Sequence, residues 1–412
     1  MKTFTEFLNS KKLNNNLKNK VVIFGAGNLG TLAIKALRQK DIDVDYFSDN
    51  DVTKWNTIHE GKKILPPSDL KNLDKNTNFF IGYYLMTAIE PDLVEMGFKN
   101  IYSISEFVTK KFVLKNYERK HLMEKVLRQV NYYKEMSMKE EHIKNFTNNN
   151  KLHLKTIDIQ VTEKCSLKCA DCSNLMQYYE SPKDSPDDIL FRSIDKLMES
   201  IDTLDEFRAI GGDPFMNKEL YKVINKLVSY EKCKKVIIYT NAKIIPKGEN
   251  LNCLKNNKVI VDITNYGFYD SVHDKLVNLL EKENVKHSTM LCREWTDCGR
   301  IQPFSGKSEP ELEKLFSSCC QSDLYSLLHG KLYRCPFSAN GVNLKAIPYN
   351  ASDEVNLLDE KLSIDEIRSQ IKKLCFDKKF LTACSYCAGK NGSTTKIAAA
   401  QQTKQPLNYK KF

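Results

Sequence analysis

From residue 151 onward, short apolar stretches alternate with amphipathic ones, and this alternation restricts the fold more than any other feature of the sequence. The apolar runs have strand length and the segments between them have helical periodicity. The predicted strands are Thr156–Val161, Phe207–Ile210, Lys235–Tyr239, Val259–Thr264 and Val285–Leu291, and the main predicted helices are Asp188–Ser200, Lys218–Ser229 and Ser271–Glu283. Repeated strand–helix units form parallel sheets with reactive groups at the carboxyl ends of the strands. The sequence therefore predicts an α/β fold in this region.

Three cysteines, Cys165, Cys169 and Cys172, follow the first of these strands at spacing C-x3-C-x2-C. Thiolates at such separations can hold one face of an iron–sulfur cubane and leave one iron without a protein ligand. A structural zinc ion is a weaker alternative because it needs a fourth nearby ligand, and no further cysteine or histidine follows before Cys233. Buried structural thiols are the remaining alternative. The pattern favours a cluster-binding loop.

Two further motifs follow at predicted strand ends, Gly211-Gly212-Asp213-Pro214 and Tyr239-Thr240-Asn241-Ala242. With the cysteine triplet, they resemble the signature of the radical S-adenosylmethionine (SAM) superfamily, although Asp213 replaces the usual glutamate. The resemblance implies a central partial (β/α)6 barrel, a [4Fe-4S] cluster held by the three cysteines, and SAM bound at its open iron.

The same resemblance implies roles for individual residues at the strand ends. Gly211 and Gly212, followed by Asp213 and Pro214, would bind the methionyl part of SAM, with Asp213 accepting a hydrogen bond from its ammonium group. Thr240 and Asn241 would border the nucleoside, and Asn265, at the end of the fourth strand, would contact the ribose.

A second set of cysteines lies downstream. It consists of Cys319 or Cys320, then Cys335 after Gly330, and finally Cys384 and Cys387. This pattern resembles the twitch domain, a shortened SPASM domain, and implies a small C-terminal auxiliary-cluster domain with a second [4Fe-4S] cluster that transfers electrons. A zinc ribbon is the alternative for four cysteines with one C-x2-C pair. A β-hairpin from about Leu324 to Arg334, turning at Gly330, fits the pattern.

The remaining cysteines are interpreted as ordinary thiols of the protein core. These are Cys233, Cys253 and Cys375, together with Cys292 and Cys298, whose x5 spacing is uncommon for ligands.

Near the N-terminus, the strand Lys20–Phe24 is followed by Gly25, Gly27 and Gly30 in a G-x-G-x-x-G pattern and then by a predicted helix. The glycines would let a phosphate approach the helix N-terminus, and Asp49, after the next strand, could bind a ribose hydroxyl. The sequence predicts an N-terminal Rossmann-like domain, with nucleotide binding left open. Asp49-Asn50-Asp51, Lys54-Trp55 and Gly61 to Leu65 resemble nucleotide-sugar-binding modules of bacterial surface-glycan enzymes.

The predicted organisation is a Rossmann-like module at 1–110, a helical linker at 111–150, a radical SAM core at 151–300 and an auxiliary-cluster domain at 301–412. The net charge of +11 comes from lysines spread along all 412 residues, so no nucleic-acid partner is expected. No apolar run has membrane-spanning length and no secretory leader is evident, so a cytoplasmic protein without membrane contact is expected.

The resemblance implies an enzyme that reductively cleaves SAM and uses the 5′-deoxyadenosyl radical on its substrate. The favoured substrate is a sugar, cyclitol or similar small molecule, with residues Arg293–Arg300 lining its pocket and a flavodoxin or ferredoxin-type protein as electron donor. The alternatives are a peptide-modifying radical SAM enzyme and an iron–sulfur redox sensor or scaffold that does not turn over SAM.

Overall fold

A computed structural model describes residues 2–13, 19–82, 89–119, 122–123, 126–127, 129–130, 151–268, 270–319, 321, 324–390 and 394–412. Its internal contacts divide the chain into two units, Met1–Asn145 and Phe146–Phe412. Both units are mixed α/β structures built on sheets with parallel strands.

The first unit contains a six-stranded sheet in the order β3-β4-β2-β1-β5-β6. Its strands are β1 Val21–Phe24, β2 Tyr46–Ser48, β3 Ile58–His59, β4 Lys62–Leu65, β5 Asn78–Ile81 and β6 Asn100–Ser103. Its helices are α1 Phe4–Leu13, α2 Asn28–Arg38, α3 Pro67–Leu70, α4 Glu90–Glu95 and α5 Lys110–Asn116. All neighbouring strands pair in parallel except β3 and β4, which form an antiparallel hairpin.

The predicted strand, glycine turn and helix near the N-terminus are confirmed. All four residues of β1 are buried, as expected for a central parallel strand. Gly30 packs against the turn that follows β1, and a Cβ atom there would be 1.9 Å from the carbonyl oxygen of Gly25. The predicted helical linker begins with α5, but most of its later residues lie outside the described ranges.

The second unit contains the strands β7 His153–Thr162, β8 Thr203–Gly211, β9 Cys233–Thr240, β10 Val259–Asn265, β11 His287–Leu291, β12 Glu294–Thr296, β13 Tyr325–Leu328, β14 Lys331–Tyr333, β15 Glu354–Asn356 and β16 Lys396–Ala398. Its helices are α6 Asp187–Ser200, α7 Leu220–Ser229, α8 Glu249–Asn252, α9 Asp270–Lys282, α10 Glu309–Ser317, α11 Pro336–Asn343 and α12 Ile364–Lys372. An eight-stranded sheet has the order β11-β10-β9-β8-β7-β13-β14-β15, and β12 pairs separately with β16.

The strands β7 to β11 are parallel neighbours in chain order, as the strand–helix alternation predicts. Side chains alternate across a strand, so the two faces of β7 differ. Ile157, Ile159 and Val161 are fully buried in the apolar core. Asp158 and Gln160 point to the opposite face and are also buried. One face of the sheet therefore builds the core, while the other carries buried polar groups.

The sixth parallel strand, β13, pairs with β7 rather than with β11. It forms the predicted hairpin with β14, and Gly330 in the turn has φ +84°. The regions predicted as radical SAM core and as auxiliary-cluster domain thus share one sheet within one unit. Among the helices of the described residues, none combines the length and apolar character that crossing a bilayer requires.

Candidate active site

The loop that contains Cys165, Cys169 and Cys172 leaves the sheet at the carboxyl end of β7. Thr162 donates a hydrogen bond from Oγ1 to Asp184 Oδ1 at 2.7 Å and accepts one from the Lys164 backbone N–H at 3.1 Å. These bonds turn the chain away from the strand direction immediately after the last residue of β7.

The three thiols line one cavity of about 510 Å³. Burial raises the pKa of Cys165, Cys169 and Cys172, and neighbouring thiols contribute to the increase for the first two. The pKa of Cys169 is raised to about 11 in total. Three closely spaced thiols in such surroundings stay protonated unless a cation compensates their charge. The donor set therefore fits a positively charged iron centre.

Within the described ranges, no three His, Cys, Asp or Glu side chains are grouped so that they could hold a single metal ion. In a cubane, each cysteine binds a different iron atom. The three thiols can therefore hold a cluster although they do not converge on the position of a single metal ion.

The glycine pair at the end of β8 makes the close approach of the cysteine loop possible. A Cβ atom at Gly211 would lie 1.9 Å from the carbonyl oxygen of Thr162, and one at Gly212 would lie 2.0 Å from that of Lys164. Gly211 also has φ +136°, which L side chains rarely adopt. Both glycines line the cavity, so their steric role accompanies the predicted contact with a ligand.

Asp213 connects the ends of β8 and β9. Its carboxylate accepts hydrogen bonds from Thr240 Oγ1 at 2.9 Å and from the backbone N–H groups of Asn241 and Phe215, both at 3.0 Å. The residue is 1% exposed, and burial raises its pKa. The structure thus gives Asp213 a positioning role, and its contact with the SAM ammonium group stays a prediction. Pro214 begins the 3-10 turn Pro214–Met216 that Asp213 caps.

The Thr240-Asn241 turn lines the cavity beside the cysteine loop. Asn241 Nδ2 donates to Ser166 Oγ at 3.1 Å and approaches Cys165 Sγ at 3.7 Å. Asn265 behaves differently, because its side chain bonds the Gly267 backbone N–H and Asp270 Oδ1 at the next turn. Its neighbours Thr264 and Tyr266 line the cavity instead.

Polar groups also line the cavity deeper along the strands. Asp158 and Arg208 are register partners on β7 and β8, with Arg208 Nη1 3.9 Å from Asp158 Oδ1. They lie four and three residues before the ends of their strands, which places them about 10 Å deeper than the cysteine loop. Asp158 Oδ1 has no hydrogen-bond partner, and burial raises the pKa of this carboxyl to about 7.

The predicted substrate loop Arg293–Arg300 reaches both the cavity and the cysteine loop. Its residues Glu294, Trp295 and Thr296 line the cavity. Arg300 Nε donates to Asp171 Oδ1 at 2.5 Å, and a Cβ atom at Gly299 would lie 1.9 Å from the Asp171 carbonyl oxygen.

Sequence reasoning missed the C-terminal segment, which pairs with the cysteine loop. The backbone N–H of Ala170 donates to the Gln401 carbonyl, and that of Thr403 to the Lys168 carbonyl, both at 2.7 Å. Gln402 Nε2 donates to Cys169 Sγ at 3.3 Å. No local sequence signal links positions 233 residues apart, so this contact could not be predicted.

The second cysteine set lines a separate cavity of about 50 Å³ in the same unit. Cys319, Cys335, Cys384 and Cys387 all border it, as the pattern predicts, whereas Cys320 lies outside the described residues. Cys298 borders it as well, although sequence reasoning treated it as an ordinary core thiol. Burial and, to a smaller extent, the nearby thiols of Cys298, Cys319 and Cys384 together raise the pKa of Cys387 to about 12.

In the first unit, internal contacts use the groups that were predicted to bind a nucleotide. Asp49 Oδ2 accepts hydrogen bonds from the Ala26 backbone N–H at 2.7 Å and from Lys54 Nζ at 3.0 Å. Gly25 has φ +109° and Gly27 lies in open space before α2. Asp49 therefore closes the glycine turn onto the next strand, and nucleotide binding stays a prediction.

Comparison with protein families finds two matches. Residues 158–284, which contain the cysteine loop and both strand-end motifs, match the 4Fe-4S single cluster domain. Residues 17–101 match the N-terminal C2185-like family. A comparison with the curated proteins finds no match.

Several solved structures resemble part of the chain. Native anSMEcpe with bound AdoMet and Cp18Cys peptide is 13% identical over 58% of this chain and 93% of that chain, with a TM-score of 0.37. BtrN in complex with AdoMet and 2-DOIA is 17% identical over 62% of this chain and 98% of that chain, with a TM-score of 0.37. SuiB of Streptococcus suis bound to S-adenosylmethionine is 15% identical over 56% of this chain and 51% of that chain, with a TM-score of 0.28. Similarity at this level assigns no function to this chain.

The steric role of Gly212 predicts the effect of a methyl group there. Gly212→Ala should destabilise the second unit by about 1–3 kcal/mol, because the added Cβ meets backbone that cannot rotate away. The variant should also incorporate less iron than wild type during anaerobic reconstitution. Urea unfolding of the same samples measures the loss of stability. Gly341→Ala is the control, since the atoms nearest to its new Cβ belong to the Ile347 side chain, with Cδ1 at 3.1 Å, and not to backbone. Full iron loading of Gly212→Ala would contradict the steric assignment.

The buried carboxyl of Asp158 predicts a pH dependence of stability. Its pKa of about 7 in the folded chain exceeds the value of about 4 expected on unfolding, so folding favours the protonated form. The free energy of unfolding should therefore decrease by about 1.4 kcal/mol for each unit by which the pH rises between pH ~4 and ~7.

Asp158→Asn should remove this part of the pH dependence. Urea unfolding at pH 5 and pH 8, followed by Trp295 fluorescence in a Trp55→Phe background, measures the difference. If the free energy of unfolding changed with pH equally in wild type and in Asp158→Asn, Asp158 would have an ordinary pKa in the folded chain.

Proposed function

We propose that the chain is a radical SAM enzyme that oxidises or otherwise remodels a sugar, cyclitol or similar small metabolite. The observation that supports this most directly is the convergence of three thiols, a strand-end glycine pair and the Thr240-Asn241 turn on one cavity. The match of residues 158–284 to a 4Fe-4S domain supports the cluster independently.

In this proposal, Cys165, Cys169 and Cys172 hold the [4Fe-4S] cluster. When bound, the cluster and SAM together supply a 5′-deoxyadenosyl radical that removes a hydrogen atom from an unactivated carbon. The chain's own residues position the reactants. Gly211 and Gly212 offer backbone groups at the edge of the cavity, and Thr240 and Asn241 border the place of the nucleoside.

The deeper part of the cavity supports a small polar substrate. The Asp158 carboxyl and the Arg208 guanidinium offer an acceptor and donors that suit the hydroxyl groups of a sugar or cyclitol. Asp158 Oδ1 lies 3.9 Å from Arg208 Nη1 but accepts no hydrogen bond from the described residues, and a hydroxyl group of the substrate would supply one, since a buried acceptor without a hydrogen bond is costly.

The second cysteine set serves, in the same proposal, an auxiliary [4Fe-4S] cluster that accepts or passes on an electron. Its four predicted thiols border one cavity, which supports a common ligand.

A flavodoxin or ferredoxin-type protein would supply the electron for SAM cleavage. A surface-glycan precursor is the favoured kind of substrate, because of the sequence resemblance of the N-terminal module to nucleotide-sugar-binding modules.

SAM cleavage tests the proposal without knowledge of the substrate. Reduced, anaerobically purified chain mixed with SAM should release 5′-deoxyadenosine, measured by liquid chromatography, and Cys169→Ala should lower the yield to that of reductant and SAM alone. Cys253→Ser is the matched control, because Cys253 is buried but lines neither cavity. Wild-type protein that holds iron and sulfide but forms no 5′-deoxyadenosine would instead support a redox sensor or scaffold.

A further inference from the structure

The C-terminal segment makes a continuous set of contacts with the cysteine loop. Antiparallel pairing between Cys169 and Gln402 is flanked by the backbone hydrogen bonds from Ala170 to Gln401 and from Thr403 to Lys168. The segment follows β16, which pairs with β12 beside the cavity. Both neighbours of Cys169 in the chain are therefore fixed by residues from the end of the sequence.

The Gln402 side chain makes three polar contacts at this place. Its Oε1 accepts a hydrogen bond from the Lys168 backbone N–H at 2.7 Å. Its Nε2 donates to the Ala400 carbonyl at 2.6 Å and to Cys169 Sγ at 3.3 Å. The amide group has two N–H donors, so one hydrogen serves the carbonyl and the other serves the sulfur. The contact with Ala400 fixes the direction in which the second N–H points.

The geometry points to Gln402 as a positioning residue that sets the reduction potential of the cluster held by Cys165, Cys169 and Cys172, an inference that rests on the proposed function. Hydrogen bonds to the sulfur ligands tune the potentials of iron–sulfur clusters. Reduction makes the cluster and its thiolates more negative, and a donor to a thiolate stabilises the more negative state. The Gln402 N–H group therefore raises the potential and makes the first electron easier to deliver.

Two substitutions are compared, because Gln402→Glu keeps one anchor of the loop but adds a negative charge, whereas Gln402→Leu removes the donor without adding charge. In Gln402→Glu, a carboxylate oxygen can still accept from the Lys168 N–H, but no donor remains for Cys169. In Gln402→Leu, all three polar contacts are lost. Gln401→Ala is the matched control, because the bond between Ala170 and residue 401 uses only the carbonyl group of the backbone.

The test is an EPR-monitored redox titration of the full-length chain after anaerobic reconstitution. The signal of this cluster is recognised by its change on addition of SAM, which separates it from any auxiliary-cluster signal. Gln402→Glu should retain its iron and show a midpoint potential more negative than wild type. Gln402→Leu should also shift to a more negative potential and bind less iron, whereas Gln401→Ala should match wild type in both measurements.

The possible outcomes distinguish the two proposals. A normal SAM-sensitive signal with an unshifted potential in the uncharged Gln402→Leu would overturn the role of Gln402 and leave the proposed function intact, and so would an unshifted potential in Gln402→Glu. An equal shift in Gln401→Ala would also overturn it, because the effect would then come from the segment and not from the amide group. A wild-type chain without any SAM-sensitive cluster signal would refute the proposed function itself.

Discussion

The cysteine loop crosses the end of β8 at a distance that only glycine allows, and the geometry of the candidate site depends on this crossing. The carbonyl oxygens of Thr162 and Lys164 fill the space that a Cβ atom at Gly211 or Gly212 would need. The Thr162 carbonyl accepts a hydrogen bond from the Gly212 backbone N–H at 2.9 Å, and the Lys164 carbonyl accepts one from the Asp213 backbone N–H at 2.8 Å. The crossing is therefore a hydrogen-bonded junction, and it directs the loop toward the cavity.

Local sequence patterns were sufficient to predict the elements on which this junction is built. The apolar run Thr156–Val161 predicts a strand, and the apolar residues of β7 do form the core. The cysteine spacing and the strand-end motifs predict a common edge, since parallel strands end together. Most of the parallel order and the β13–β14 hairpin could be predicted in this way, because each depends on residues close in sequence.

Contacts between distant parts of the chain could not be predicted. Asp213 and Asp49 have the residue type and position of ligand-binding carboxylates, yet each accepts hydrogen bonds from a neighbouring segment of its own unit. Cys298 has no informative spacing, and only folding brings it to the cavity of the second cysteine set. The pairing of β13 with β7 has the same origin, because which edge of a sheet a later strand joins depends on packing rather than on its own residues.

The two cysteine sets are joined by more than their place in one unit. Ser173, Gln321, Pro336 and Lys390 line both cavities, so a single layer of residues separates them. Asp171, next to Cys172, contacts Gly299, next to Cys298, and the ion pair between Arg300 and Asp171 holds the two loops together. The two loops therefore touch through backbone as well as through an ion pair. Under the proposed function, this contact would keep the distance between the two clusters fixed, which electron transfer through a protein requires.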